Sequence, residues 1–327
     1  ANQTGSRELL AMIALQSEEI VTAFMNHIRQ AAAWKTRQAL RRFAQGEHRF
    51  EDTMDDGTPI RLVIRIESDR ATFDFTGTGP VSRGNLNANR SIVSSAILYC
   101  LRCLINEDIP LNAGVLEPVT IILPECFLNP PRHEDPRQCP AIAGGNVETS
   151  QRIVDVIFGA LSVVAASQGT MNNLLVGHEK FGYYETICGG AGAGPGFHGA
   201  DAVHTHMTNT RLTDPEVLES RYPLRLIRFE IRQGSGGRGK FHGGNGVIRE
   251  IESLVPLDVS IISQRRSTAP YGLLGGGAGM SGRNLIRRKG SASCQLLAPV
   301  TFVQIEPGDR VTIETPGGGG CGSSEPP

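Results

Sequence analysis

Residues 55–75 read DDGTPIRLVIRIESDRATFDF, and this stretch decides the class of fold because the spacing of its apolar residues is that of strands. After the Asp-Asp-Gly turn, apolar side chains alternate strictly at positions 60, 62, 64 and 66, which is typical of a strand with one face on a core. A second turn at 68–70 leads to Phe73 and Phe75, so the stretch predicts a β-hairpin or meander.

The chain before this hairpin has a helical pattern instead. Apolar side chains recur every three or four residues, with a possible break near Ala31. The same pattern returns twice after the hairpin, and Ser91 is the expected N-cap of its first appearance. Helices are predicted at 7–43, 91–105 and 149–166. A short buried strand is predicted at 119–123 and a polar surface loop at 129–140.

In the last third of the chain, short apolar stretches alternate with glycine-rich turns. Strands are predicted there at 225–232, 246–252, 258–263, 283–288, 300–304 and 311–314, and residues 315–320 as a turn or tail. The sequence therefore predicts an α+β protein in three parts. These are a helical segment at 1–50, an α+β core at 51–230 with a central mixed sheet and helices, and a packed C-terminal region at 231–327. The last region is expected to be mostly antiparallel β with glycine-rich turns.

Composition limits the classes of function. The 327 residues include 32 Lys and Arg and 33 Asp and Glu. The resulting net charge of −1 argues against binding to nucleic acid or to an anionic membrane. The 39 glycines and 19 prolines predict an ordered chain whose backbone segments approach one another closely. We find no apolar run of the roughly 18–20 residues that span a membrane and no signal peptide.

The seven cysteines are odd in number and scattered, which does not indicate a disulfide framework and favours a reducing, cytoplasmic setting. Cys100 and Cys103 have the spacing of half a zinc site or of a redox pair. No second pair follows, and the helical pattern favours cysteines that pack on one helix face. The first residue is Ala rather than Met, which suggests a chain processed or cut from a longer one.

A glycine pair opens the helix predicted after residue 144, in the stretch GGNVETSQR at 144–152. Exposed N–H groups at such a helix start favour a phosphate or carboxylate, and polar side chains crowd the same end. An ordinary capped helix start explains the same residues. The stretch is no P-loop, and the chain has neither a Gly-x-Ser-x-Gly elbow nor an HExxH motif.

Three further stretches carry polar groups. Asn172 and Asn173 could orient a substrate amide, donate to an oxyanion or tie down a loop. Glu185 precedes the glycine run 189–194 and is a candidate general base. His204 and His206 would face one side of a strand, but they supply only two ligands, so no metal site is predicted and hydrogen-bonded structural histidines are favoured.

Many segments, in this order, resemble the hydantoinase B/oxoprolinase family from about Asp52 to Gly322. The matching segments are 74–78, 84–87, 108–112, 144–152, 169–173, 183–194, 203–211 and 315–320. Within the family, segments 55–62, 99–104 and 214–223 are similar to the branch of ATP-dependent 5-oxoprolinases.

The resemblance implies a two-part, ATP-dependent cyclic amide hydrolase. ATP is bound by a hydantoinase A-type portion or subunit, which phosphorylates the amide. The B-type portion then opens the ring, which converts 5-oxo-L-proline to L-glutamate. The full enzyme is expected to be a homo-oligomer. The alternatives are a subunit of an ATP-dependent hydantoinase or lactamase, and a non-catalytic structural fragment.

Site residues are assigned on this basis. The catalytic candidates are Glu148 and Glu185 as water-activating bases and Asn172 and Asn173 as oxyanion contacts. The candidates for substrate or phosphate binding are Asn146, Thr149, Ser150, Arg152, Gly190, His204, His206 and Arg211. The Asn-Asp-Pro, Gly-Thr-His-Leu-Pro-Asp and His-His-Ala-Asp segments that carry the metal ligands expected in relatives have no match here. We therefore expect the C-terminal part of a larger enzyme, whose divalent metal binds in the upstream half.

Overall fold

The computed structural model describes residues 1–105, 107–208 and 210–323. Its helices are α1 (Asn2–Gln16), α2 (Glu18–Arg42), α3 (Arg90–Ile105), α4 (Ser150–Ala160) and α5 (Pro215–Arg221). Its first six strands are β1 (Gly46–Thr53), β2 (Pro59–Glu67), β3 (Arg70–Asp74), β4 (Val119–Ile122), β5 (Asn173–His178) and β6 (Phe181–Glu185). The remaining strands are β7 (Leu224–Ile231), β8 (Val247–Ser253), β9 (Leu257–Ile262), β10 (Arg283–Arg287), β11 (Gln295–Leu297), β12 (Val300–Ile305) and β13 (Arg310–Glu314).

The predicted hairpin is confirmed as strands β2 and β3, which pair antiparallel. The alternating apolar side chains of β2 are all buried. Strand β4 adds to β3 in parallel, so this sheet has the order β1-β2-β3-β4 and is mixed. Strand β4 is only half-buried rather than buried as predicted, because it forms the edge of the sheet and every second residue faces outward.

The N-terminal helical segment breaks at Ser17 and not near Ala31, through which α2 is continuous. Ser17 has φ of 75°, and its hydroxyl accepts from the amide of Ile20 as an N-cap. Helix α1 buries none of its residues, so the apolar residues Leu9 and Leu10 of the helical pattern are exposed.

Two other helix ends differ from the prediction. Helix α3 is capped by Asn89, whose side chain accepts from the amide of Ile92, rather than by Ser91. Helix α4 ends at Ala160 and not at 166, because the following turn directs the chain into extended segments that pair with Ala193 and Tyr271. Along α3, Cys100 is buried but Cys103 is exposed, so only one of these cysteines packs in a core.

Two antiparallel sheets form the rest of the fold, in the orders β11-β10-β13-β8-β7 and β12-β9-β5-β6. Apolar residues from both sheets share one buried cluster. The predicted antiparallel C-terminal strands are confirmed. The pattern did not predict β5, β6 or β11, since glycines and polar residues interrupt the alternation there.

The glycine runs pack against each other inside the protein. Residues 315–320, predicted as a turn or tail, are fully buried. The amide of Gly318 donates to the carbonyl of Gly244, and that of Gly244 donates to Ala191. A Cβ on Gly318 would lie 1.9 Å from the carbonyl oxygen of Ala191, so side chains are excluded where these segments meet.

The chain separates into two compact units. The first contains residues 1–48, 63–74 and 98–122, and the second contains 49–62, 75–97 and 123–327. The three-part organisation proposed from the sequence stays a prediction. All the groups of the candidate site belong to the second unit. We find no helix among the described residues that has the length and apolar character to cross a membrane.

Candidate functional site

Glu148 lies in a short π-helical turn, Gly145–Thr149, that leads into α4. This turn is held tightly against the backbone, because a Cβ on Gly145 would lie 2.1 Å from the carbonyl oxygen of Asn87. The hydroxyl of Thr149 donates to the carbonyl of Leu86 at 2.5 Å. Every residue of α4 is buried, so the helix places Glu148 in the interior rather than at a surface cap.

The polar residues around that turn have different environments. Ser150 donates its hydroxyl to the carbonyl of Asn146 at 2.6 Å, and the Asn146 residue itself is exposed. The hydroxyls of Thr149 and Ser150 therefore satisfy backbone carbonyls. Their assignment to phosphate or substrate stays a prediction.

The carboxyl group of Glu148 is fully buried, and its hydrogen bonds are made by Oε1. Its Oε1 accepts from the amide of Met171 at 3.0 Å and from Nδ2 of Asn173 at 2.6 Å. Its Oε2 makes no hydrogen bond of normal geometry among the described residues, although the side chain of Thr170 also interacts with the carboxyl group and lowers its pKa. Burial raises the pKa of Glu148 to about 8. A carboxyl group that titrates near neutral pH can both take and return a proton.

Asn173 connects Glu148 to the surface. Its Nδ2 also donates to the carbonyl of Ile262 at 2.7 Å, while its Oδ1 accepts from the hydroxyl of Tyr184 at 2.7 Å. Tyr184 is half-exposed, and burial of the rest of its ring raises its pKa. The sequence pattern did not assign Tyr184 to the site. No alternation marked this residue, because strand β6 was not predicted from the sequence.

Arg266 is the positive charge that acts on Glu148. Burial lowers the pKa of Arg266 to about 10, while the charges of Glu148 and Asp55 oppose this shift. The segment that carries Arg266 is fixed by Asp55, whose carboxylate accepts from the amides of Arg266, Ser267 and Thr268. Asp55 belongs to the turn that opens the predicted hairpin, and the sequence pattern had assigned it only to that turn.

Asn172 faces a different environment from Asn173. It is fully buried at φ of 47°, and its Nδ2 donates to Oε1 of Gln168 and to the carbonyl of Ile187. Its Oδ1 has no partner among the described residues. The positive φ turns the chain so that these consecutive asparagines point to different neighbours.

Glu185 does not share a site with Glu148. Its Oε1 and Oε2 accept from Nε and Nη2 of Arg249 at 2.7 and 3.0 Å, and the hydroxyl of Tyr183 donates to Oε2 at 2.6 Å. This ion pair is almost completely buried. Both carboxylate oxygens therefore have strong partners, and the role of Glu185 as a base stays a prediction.

Arg152 belongs to a buried charge network rather than standing at an open helix start. Asp52 lies 2.9 Å from Nη2 of Arg152 and 2.6 Å from Nη2 of Arg265. Arg265 also lies 3.2 Å from Asp155. Burial raises the pKa of Asp52, but the two arginines outweigh it and the net pKa is lowered. The sequence pattern had not assigned Asp52 or Asp155 to a site.

The histidines do not lie on a strand. His206 is in a turn at φ of 51°, with Nε2 3.5 Å from Oδ1 of Asp155 and its ring against Phe158. Burial lowers the pKa of His204. Gly190 gives its amide to the carbonyl of Pro316. Arg211 is exposed, and its neighbour Asn209 lies outside the described residues.

The family model described as hydantoinase B/oxoprolinase matches residues 1–324 of the chain. The chain belongs to the hydantoinase B/oxoprolinase family. The match includes the N-terminal helices, which lie before the resemblance noted from Asp52 onward.

Several curated proteins are similar to the chain. The 5-oxoprolinase 1 of Arabidopsis thaliana is 45% identical over 99% of this chain and 26% of its own length. The 5-oxoprolinase of Dictyostelium discoideum is 43% identical over the same shares. An uncharacterized Schizosaccharomyces pombe protein is 49% identical over 93% of this chain and 25% of its own length. The chain thus spans about a quarter of the length of these relatives.

Solved structures confirm the α+β fold. An ATP-dependent caprolactamase from Pseudomonas jessenii superposes with a TM-score of 0.85 at 21% identity, over 98% of this chain and 59% of that chain. A nucleotide-free acetone carboxylase superposes with a TM-score of 0.78 at 17% identity, over 96% of this chain and 50% of that chain.

Proposed function

We propose that this chain is the C-terminal hydantoinase B-type portion of an ATP-dependent 5-oxoprolinase, and that Glu148 moves the protons of ring opening. The relatives named 5-oxoprolinase, at 43–45% identity, support the substrate class. The observation that carries the proposal is the buried carboxyl of Glu148, whose pKa is raised to about 8 and whose Oε1 is fixed by Asn173.

The chemistry requires such a group. A lactam is a poor electrophile, and phosphorylation of its oxygen by the A-type portion provides a better leaving group. Water then adds to the ring carbon, and the C–N bond breaks as the nitrogen takes up a proton, which leaves an acyl phosphate. A second water releases phosphate and the free carboxylate. A base that takes the proton of water and returns it to the nitrogen is expected to contribute about 100- to 10,000-fold to the rate.

Other residues are proposed to stabilise the negative charge that develops on the reaction intermediate. Arg266 is near enough to influence the ionisation of Glu148 and could stabilise an anionic intermediate electrostatically. Asn172, Asn173, Arg211 and the glycine-loop amides remain proposed oxyanion or phosphate contacts. The amide nitrogens of both asparagines already donate to protein acceptors, so either would have to exchange a partner to take this role.

ATP is proposed to bind the A-type portion, and we propose this portion as the partner of the chain. Within residues 1–105, 107–208 and 210–323, no three or more His, Cys, Asp or Glu side chains group together as a metal site requires. We therefore derive no step through a metal held by these residues, and we propose that a divalent ion binds in the upstream half of the enzyme.

The second candidate function is that of a hydantoinase component that works with a separate ATPase. A Pseudomonas protein named as a putative D-/L-hydantoinase subunit is 27% identical over 99% of this chain and 58% of its own length. A coupled assay of the full-length protein with ATP and 5-oxoproline, hydantoin or caprolactam separates the two. Turnover of hydantoin without 5-oxoproline would favour the second candidate, and ATP-independent turnover would contradict both.

The role of Glu148 is tested in the same full-length protein. We expect Glu148→Gln to lower coupled glutamate formation by at least about 100-fold, whereas Glu179→Gln, on an exposed residue, leaves it unchanged. Near-normal turnover in E148Q would remove the proposed role. Circular dichroism and thermal unfolding of both variants establish that they are folded.

A further inference from the structure

A pocket of about 380 Å³ opens beside the segment that carries Arg266. Its volume lies in the range of small-molecule sites and suits a ligand with a single ring. The pocket is lined by two arginines, an asparagine, a glycine and an apolar wall. These are Arg266, Arg283, Asn284, Gly282, Leu296 and Leu297.

The guanidinium group of Arg266 has no carboxylate partner within hydrogen-bond distance among the described residues. Its Nε and Nη2 donate to Oδ1 of Asn284, and its Nη1 donates to the carbonyl of Gln264. A guanidinium group has five N–H donors, so these three bonds leave one N–H on each terminal nitrogen. The other arginine of the pocket differs, because Arg283 is paired with Glu314 at 2.7 Å.

The positive charge of Arg266 is thus balanced only at a distance. The acidic groups that act on it are Glu148 and Asp55. Neither carboxyl group lies within hydrogen-bond distance of the guanidinium group, and the carboxylate of Asp55 is occupied by backbone amides and the hydroxyl of Thr268. Because a partly buried cation is costly without a paired anion, the pocket favours an anionic ligand.

Gly282 keeps the terminal nitrogens of Arg266 accessible. A Cβ at this position would lie 2.8 Å from Nη1 of Arg266 and 2.8 Å from the carbonyl oxygen of Glu314. Any other residue would therefore push the guanidinium group away from its position. A planar group with two free N–H donors matches the geometry of a carboxylate.

We propose that Arg266 binds the carboxylate of an amino-acid-derived cyclic amide in this pocket. The inference rests on the proposed function and deepens it, because it makes the charge of Arg266 the feature that selects a carboxylated lactam over a neutral one. The apolar wall at Leu296 and Leu297 contacts the ring, and Arg266 fixes its acidic substituent.

The test compares two ligands that differ only in charge. Equilibrium binding of 5-oxoproline and of its neutral carboxamide is measured calorimetrically, without ATP, on the full-length protein. We expect the wild type to bind the carboxylate at least about tenfold more tightly. Arg266→Gln should bring this ratio near one, Arg266→Lys should retain part of it, and the control Arg228→Gln, on an exposed arginine outside the pocket, should retain it fully. Gly282→Ala should reduce it as well.

Four outcomes of the comparison of the two ligands would overturn the inference. They are equal binding of both ligands by the wild type, no binding of either, an unchanged ratio in R266Q, and an equal loss of both ligands in R266Q, which indicates a structural role. Inorganic phosphate is titrated as a separate arm. Binding of phosphate that depends on Arg266, without preference for 5-oxoproline, would assign the pocket to phosphate and contradict the carboxylate.

The two proposals can fail separately. If carboxylate binding depends on Arg266 but the wild type shows no ATP-coupled turnover, the proposed function is contradicted and the pocket assignment stands. If 5-oxoproline is turned over with ATP but the preference for the carboxylate ligand does not depend on Arg266, the proposed function is supported and the pocket assignment is wrong.

Discussion

Nδ2 of Asn173 lies 2.6 Å from Oε1 of Glu148, and this hydrogen bond joins a strand residue of the candidate catalytic set to a carboxyl group on a π-helical turn. The two residues come from different elements, and each is buried. The contact fixes Oε1 of Glu148. We therefore expect substitutions of Asn173 to act mainly by changing the pKa of Glu148.

Asn173→Leu should raise the pKa of Glu148 further, because the bond that it removes favours the charged carboxylate. We expect the pH at which coupled turnover reaches half of its maximum to move upward, with a loss of about 1–3 kcal/mol of stability. The measurement is a pH–rate profile of the full-length protein, with chemical unfolding as the second readout. A downward move of the profile would contradict the contact between Asn173 and Glu148.

Tyr184→Phe should weaken turnover without unfolding the protein. The substitution removes the donor to Oδ1 of Asn173, so the asparagine side chain loses one of the bonds that fix it. We expect kcat to fall roughly three- to tenfold, in line with a loss of about 1 kcal/mol for one neutral hydrogen bond. Tyr222→Phe provides a matched control, since it removes a hydroxyl elsewhere in the same unit. Equal effects of both substitutions would argue against a specific role for Tyr184.

Glu148 should also leave a signature in stability. The folded protein holds its proton up to about pH 8, whereas the unfolded chain ionises near 4.5. The contribution of this group is therefore complete below pH 4.5 and is lost as the pH rises through the window from 4.5 to 8, by up to about 1.4 kcal/mol per pH unit. Glu148→Gln cannot ionise, so its stability relative to the wild type should improve across that window. A constant difference between the two proteins would show that the carboxyl is already ionised.

Glu185 is expected to act on stability more than on chemistry. Removing one partner of a buried ion pair leaves the other charge uncompensated, so Glu185→Gln and Arg249→Met should each cost about 3–5 kcal/mol. The double variant should recover part of that loss. Turnover per folded molecule should stay within about twofold of the wild type in E185Q. A large fall in kcat with unchanged stability would restore Glu185 as the base.

The sequence could predict the elements whose side chains alternate or repeat regularly. The apolar alternation of β2 specifies both its pairing with β3 and its buried face. Tyr184 could not be found in this way, because its strand was not predicted and it reaches the site through Asn173, which lies 11 residues earlier in the chain. Glycine runs have no side-chain pattern, so their burial depends on which backbone segments meet.

The buried glycine segments should tolerate no side chain. In Gly318→Ala the new Cβ would lie 1.9 Å from the carbonyl oxygen of Ala191, and backbone atoms cannot move away as a flexible side chain could. We expect a loss of more than about 3 kcal/mol, which exceeds the usual cost of overpacking because several backbone hydrogen bonds would shift together. Gly182→Ala is the matched control, since its Cβ would meet nothing within 4 Å, and its effect should stay within about 0.5 kcal/mol. Urea unfolding of both variants measures the difference. Similar midpoints would mean that the glycine segments are more loosely packed than their contacts indicate.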